Sequence, residues 1–84
     1  MQDQLVKKLS DNEFLVSALI PIEEFNDEFE STLSNKDFYT LGGIVMHHFA
    51  RFPKINDAIS IDNLRFIIAS TEKKRLKKIK VIKS

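Results

Sequence analysis

Thr40-Leu41-Gly42-Gly43-Ile44-Val45-Met46-His47-His48-Phe49-Ala50-Arg51-Phe52-Pro53 holds both glycines of an 84-residue chain, back to back, and one of its two prolines. The stretch predicts a short helix. Thr40 suits the N-cap, because its hydroxyl can accept from an orphan N–H of the first turn. Leu41, Ile44, Val45 and Phe49 follow at helical spacing and give one apolar face. Pro53 forbids continuation and pushes Phe52 toward an extended conformation. Gly42 and Gly43 fall in the first turn, where each glycine costs roughly 1 kcal/mol relative to alanine. Close approach of another backbone, which a Cβ would block, is the expected reason. A phosphate held at the helix N-terminus is the sharper alternative. It lacks a Lys or Arg in or just before the turn.

Upstream, residues 4–9 and 13–19 read as two strands. Ser10-Asp11-Asn12 between them is turn chemistry, with Asn12 suited to a left-handed conformation, so a hairpin is predicted. Phe14, Val16 and Ala18 share one face of the second run, and Leu15, Ser17 and Leu19 the other. Both faces are largely apolar, which predicts a strand covered on both sides. Pro21 opens a helix whose apolar stripe is Ile22, Phe25, Phe29 and Leu33. Glu23, Glu24, Asp27, Glu28 and Glu30 fill its opposite face. These carboxylates read as a solvated surface, since exposure denies them the burial that would tune them for metal binding or acid–base work. Residues 31–37 form a polar linker.

Downstream, residues 54–57 make a turn and residues 58–61 a strand. Asp62-Asn63 is a tight turn, with a positive φ expected at the asparagine. Residues 64–70 form a β-branched and aromatic strand, residues 71–74 turn the chain, and residues 75–82 form the last strand. Its apolar residues Leu76, Ile79 and Val81 break alternation, so a bulge is expected between Leu76 and Ile79. The order β-β-α-α-β-β-β predicts an α+β fold. It is a single domain over residues 1–84, an antiparallel sheet with two helices packed on one face.

Composition narrows the function classes. The chain has no cysteine, which excludes disulfides and thiolate metal sites. The longest apolar run, residues 14–20, is interrupted by Ser17 and is too short to span a bilayer. Met1-Gln2-Asp3-Gln4 does not resemble a signal peptide, and a soluble domain is expected. The net charge of +1 is unevenly spread. Residues 1–40 carry nine acidic and three basic groups, a net of −6, whereas residues 72–84 sum to +6. The basic end comprises Lys73, Lys74, Arg75, Lys77, Lys78, Lys80 and Lys83. It reads as a surface for an acidic partner, anionic lipid or nucleic acid, or as lysines that protect an edge strand from pairing. No aromatic residue interleaves with these lysines, so base stacking is not offered. His47 and His48 are helix neighbours pointing about 100° apart and do not converge on one metal. No serine nucleophile motif, Walker loop or dinucleotide fingerprint is present, so no enzyme is expected.

Several motifs together resemble one family. They are Thr40-Leu41-Gly42-Gly43-Ile44-Val45, Phe52-Pro53-Lys54, Ile59-Ser60-Ile61, Leu64-Arg65-Phe66 and Arg75-Leu76-Lys77-Lys78-Ile79-Lys80-Val81. This pattern resembles the transporter-associated domain of the CorC/HlyC family across nearly the whole chain. Asn12 and Asn56 stand where that family commonly has glycine, and Ala18 where it often has another. The resemblance implies the C-terminal module of a membrane protein that also carries a transmembrane domain and a pair of CBS domains. Such proteins are linked to magnesium and cobalt efflux or called hemolysin-like. The expected role is a non-catalytic accessory or regulatory domain at the cytoplasmic face, modulating transport by packing on the CBS and transmembrane domains of its own polypeptide. A sheet edge is a candidate homodimer surface, and nucleic acid is not an expected partner. No cofactor or metal is expected. The fold is similar to part of some flavin-binding domains, so flavin adenine dinucleotide enters by fold analogy alone. The alternative role is a sensor binding a flavin or adenine nucleotide at the Gly-Gly helix start. The residues expected to matter are structural: Thr40 as cap, Gly42 and Gly43 for close packing, and Pro53 as exit.

Overall fold

The computed structural model describes residues 5–34 and 36–83. Strand β1 (Val6–Lys8) and β2 (Glu13–Ser17) form the hairpin. Helices α1 (Ile22–Phe29) and α2 (Leu41–His47) follow, and β3 (Ala58–Ile61), β4 (Leu64–Glu72) and β5 (Arg75–Lys83) complete the chain. The five strands make one antiparallel sheet in the spatial order β1-β2-β5-β4-β3. The last strand therefore lies in the middle, and the edges are β1 and β3.

Register explains the core. Val16, Ile79 and Ile68 lie opposite one another on β2, β5 and β4, as do Phe14, Val81 and Phe66 in the next row. All six except Phe14 have no exposed surface. Ile22, Phe25 and Phe29 of α1 and Leu41, Ile44 and Val45 of α2 are buried in the same cluster. Phe25 stacks on Phe29, with ring centroids 4.4 Å apart, and tilts against Phe66 at 5.9 Å. Both helices thus cover one sheet face, as the helical stripes predict.

The other face corrects the expectation that β2 is covered on both sides. Leu15 is only half-buried, and it lies in register between Lys7 and Lys80. The aliphatic stems of those lysines can flank it without a second layer. Strand β2 also ends at Ser17, not at Leu19, and Leu19 is 74% exposed. A second correction concerns α1. It stops at Glu30, which is left-handed at φ 51°, so Leu33 lies beyond the helix although it is buried. Asn26 holds that segment instead. Its Oδ1 accepts from Leu33 N–H (3.1 Å) and from the Ser31 hydroxyl (2.7 Å), and its Nδ2 donates to Leu33 O (2.9 Å).

The turns differ in detail from the sequence reading. Asn56 takes the left-handed conformation at φ 79°. In the β3–β4 turn it is Asp62, at φ 56°, and not Asn63 that does so. Asn12 has no positive φ, because the β1–β2 reversal is spread over several residues and Leu9 and Ser10 both donate to Glu13 O. The expected slip between Leu76 and Ile79 is present. Opposite β4, Ser70 pairs with Lys78 and Thr71 with Leu76, which skips Lys77. A compensating irregularity skips Ala69 on β4.

The β4–β5 turn is two residues long, Lys73 and Lys74, with φ of 51° and 63°. Two positive φ values mark the primed turn that favours Asn-Gly. Lysine pays a steric cost there that glycine does not. Replacing both together, Lys73→Asn with Lys74→Gly, should raise stability by about 1 kcal/mol, read as a higher denaturant midpoint at unchanged slope.

Candidate functional site

The start of α2 is built by hydrogen bonds to its backbone. Thr40 is extended at φ −110°, and its Oγ1 accepts from Gly43 N–H at 3.3 Å. Leu41 N–H donates to Ile20 O and Gly42 N–H to Ala18 O, both at 2.9 Å, and Ile44 N–H reaches Thr40 O at 3.4 Å. The turn that leaves β2 therefore caps α2. The N–H groups of Leu41, Gly42, Gly43 and Ile44 all have protein acceptors, so none of them is left to grip an anion. A phosphate of a nucleotide or flavin does not fit this helix start unless the chain after β2 is first peeled away.

The two glycines have different neighbours. A Cβ on Gly42 would stand 2.9 Å from Ala18 Cβ and 3.0 Å from Ala18 O, against backbone. A Cβ on Gly43 would meet side chains, Phe38 at 3.3 Å from its Cδ1 and Thr40 Oγ1 at an ordinary 3.6 Å. Neither glycine has a positive φ. Pro53 is fully buried, yet it does not end the helix. Helix α2 ends at His47, with His48 as C-cap, and Pro53 follows only after a loop. The structure thus gathers Thr40, Gly42 and Gly43 at one helix end and places Pro53 outside it.

The histidines are both exposed. His47 lies against Phe38, ring centroids 5.0 Å apart. His48 Nδ1–H donates to Ile44 O at 2.9 Å, which satisfies an orphan carbonyl of the last turn. Among the described residues no group of three or more His, Asp or Glu side chains gathers to hold a metal ion.

The basic end takes a form that the sequence did not show. Lysines on a guarded edge was one reading of it, but β5 is the central strand. Lys80 faces Glu13 on the open sheet face, 3.6 Å away. Lys73, Arg75, Lys77 and Lys78 instead line a groove of about 690 Å³ with Leu5, Leu19 and Leu76. The alternation of residues 13–19 assigned Leu19 to a strand face, which hid its place in this groove. The only signal available was the turn before Pro21.

The family model of the CorC/HlyC transporter associated domain matches residues 7–84. This chain belongs to that family. The magnesium and cobalt efflux protein CorC of Pasteurella multocida is 33% identical over 76 residues, which are 90% of this chain and 25% of the relative. The chain thus spans about a quarter of the length of that curated relative. A hemolysin domain from Enterococcus faecalis superposes with a TM-score of 0.88 at 27% identity, covering 95% of this chain and 98% of that one. The CorC-associated region of a Mg2+ and Co2+ transporter from Neisseria meningitidis gives 0.91 at 22% identity, covering 96% and 100%, and supports the fold alone. No helix among the described residues is long and apolar enough to cross a membrane.

Proposed function

We propose that this chain is a non-catalytic accessory domain of a membrane ion transporter of the magnesium and cobalt efflux kind. It acts at the cytoplasmic face by packing on CBS and transmembrane domains of the same, longer polypeptide, and so biases transport. The observation that carries this is the family match over residues 7–84, joined to efflux relatives four times as long. The fold agrees with such a role. It offers a rigid two-layer body whose helix start is tied to its own chain and whose charged surfaces are free to pack.

The test is the native gene product in fractionated source cells, detected with an antibody against this domain. The expected result is a membrane-fraction band several times larger than 9.7 kDa. Cells whose copy of the gene lacks this domain should then change their sensitivity to external Mg2+ and Co2+. A soluble band near 9.7 kDa would overturn the proposal. So would stabilisation by a flavin or adenine nucleotide, since a ligand at about 100 times its dissociation constant adds roughly 2.7 kcal/mol.

A further inference from the structure

The groove at the β4–β5 turn is the feature that packing of the fold leaves unexplained. It lies where the chain leaves β2 and where β4 turns into β5. Its apolar part is Leu5, Leu19 and Leu76. Leu19 is 74% exposed, whereas Leu76, at 7%, sits at the floor against the core. Its rim carries Lys73, Arg75, Lys77 and Lys78 against a single carboxylate, Glu72, which is itself 3.5 Å from Lys77. Four cations and one anion around three leucines make an apolar slot in a positive field.

Two further observations argue that this is more than a solvated face. Lysines on β5 have no edge to protect, because β5 lies between β2 and β4. And the turn that presents the cations is strained, with Lys73 and Lys74 both left-handed where Asn-Gly would form at less cost. Strain retained in a turn points to a use for the side chains it carries.

We infer that this groove docks an acidic segment of the same polypeptide, with an aliphatic or aromatic side chain seated on Leu5, Leu19 and Leu76. The inference rests on the transporter-module reading and names the surface through which the domain packs. Charge complementarity selects the acidic occupant, since the rim would repel a basic one and attract a carboxylate-rich one. The apolar floor selects a protein side chain. A single strand of nucleic acid would find no aromatic side chain to stack on, and duplex phosphates would leave the leucines unfilled. A bilayer surface would leave the recessed Leu76 unfilled. A second copy of this chain would have to bring the acidic face of its α1 to the groove, and crosslinks between two copies would reveal it.

The experiment is site-directed photo-crosslinking in the full-length gene product in its native membrane. The photoreactive amino acid p-benzoylphenylalanine replaces Leu19, and crosslinked peptides are mapped by mass spectrometry. The expected product is an intrachain crosslink to a segment outside residues 5–83 with net negative charge. The triple variant Lys73→Glu, Arg75→Glu, Lys77→Glu, all at exposed positions, should lower its yield about tenfold and leave the isolated domain's melting temperature within a few degrees. Crosslinks to lipid, nucleic acid, a second copy or a neutral or basic segment would overturn the inference, as would a yield indifferent to the triple variant. Membrane fractionation of the same sample separates this failure from failure of the transporter reading, because a membrane-borne full-length protein with no acidic crosslink loses only the docking surface.

Discussion

Gly42→Ala is expected to lower stability by about 2 kcal/mol, whereas Gly43→Ala should leave it unchanged or raise it by a few tenths. Both substitutions remove the same helix-propensity cost, roughly 1 kcal/mol each. What separates them is the neighbour. The added methyl at position 42 meets the Ala18 carbonyl oxygen and Cβ at 3.0 and 2.9 Å. That carbonyl is held in place by accepting from Gly42 N–H itself, and Ala18 N–H is in turn tied to Lys77 O on β5 at 3.0 Å. Relief would require α2 to part from the sheet at its best-anchored point. At position 43 the methyl meets the half-buried Phe38 ring, which can turn aside. In an 84-residue domain 2 kcal/mol lowers the melting temperature by about 10 °C. The Ala18→Gly, Gly42→Ala double variant tests the cause. It removes the Cβ contact, so it should be less destabilised than the sum of the single variants. Equal melting temperatures for Gly42→Ala and Gly43→Ala would refute the distinction.

That contrast also shows where the sequence was legible. Two adjacent glycines in a first helical turn announced a close approach, because their propensity cost demands a compensating contact. Which glycine faces backbone depends on where Ala18 arrives, and that is fixed by the β2–β5 register across sixty residues of chain. The strands of the C-terminal half were readable because β-branched and aromatic residues alternate there, and even the slip between Leu76 and Ile79 could be counted. The ends of elements were less readable for local reasons. Leu33 kept the helical period of Ile22, Phe25 and Phe29, so periodicity could not reveal that α1 stops at Glu30. Leu19 kept the alternation of β2, so its exposure and its place in the basic groove were hidden. Strand order is invisible to both periods. Only the register shows that the lysine-rich strand is central, and this changes what those lysines are for. Thr40-Leu41-Gly42-Gly43 thus marks a packing joint. Its hydrogen bonds are spent within the chain, which is why the neighbouring groove, lined by Leu19 and Lys77 on either side of that joint, is the better candidate for contact with a partner.

Asn26→Ala is expected to cost about 2.5 kcal/mol, a large effect for one half-buried polar side chain. The reason is the number of groups that depend on it. Asn26 Oδ1 and Nδ2 together satisfy Leu33 N–H, Leu33 O and the Ser31 hydroxyl. Three hydrogen bonds at about 1 kcal/mol each, less roughly 0.5 kcal/mol regained from alanine's better helix propensity, give the estimate. Loss of the clamp also frees Leu33, which is 6% exposed and seals the end of the core beyond α1. Asn26→Asp separates these effects. Its carboxylate still accepts from Leu33 N–H and Ser31 but faces Leu33 O without a donor, so it should fall between wild type and Asn26→Ala at neutral pH. Protonating that carboxylate restores a donor, so the Asp variant should gain stability relative to wild type as pH falls through its titration. A Ser31→Ala, Asn26→Ala cycle would assign the hydroxyl its share, with a coupling of about 0.5–1 kcal/mol. Urea midpoints for the four proteins decide the matter. If Asn26→Ala unfolds at the wild-type midpoint, the segment after Glu30 is held by Leu33 burial alone, and the side chain that replaces helical periodicity there is not Asn26.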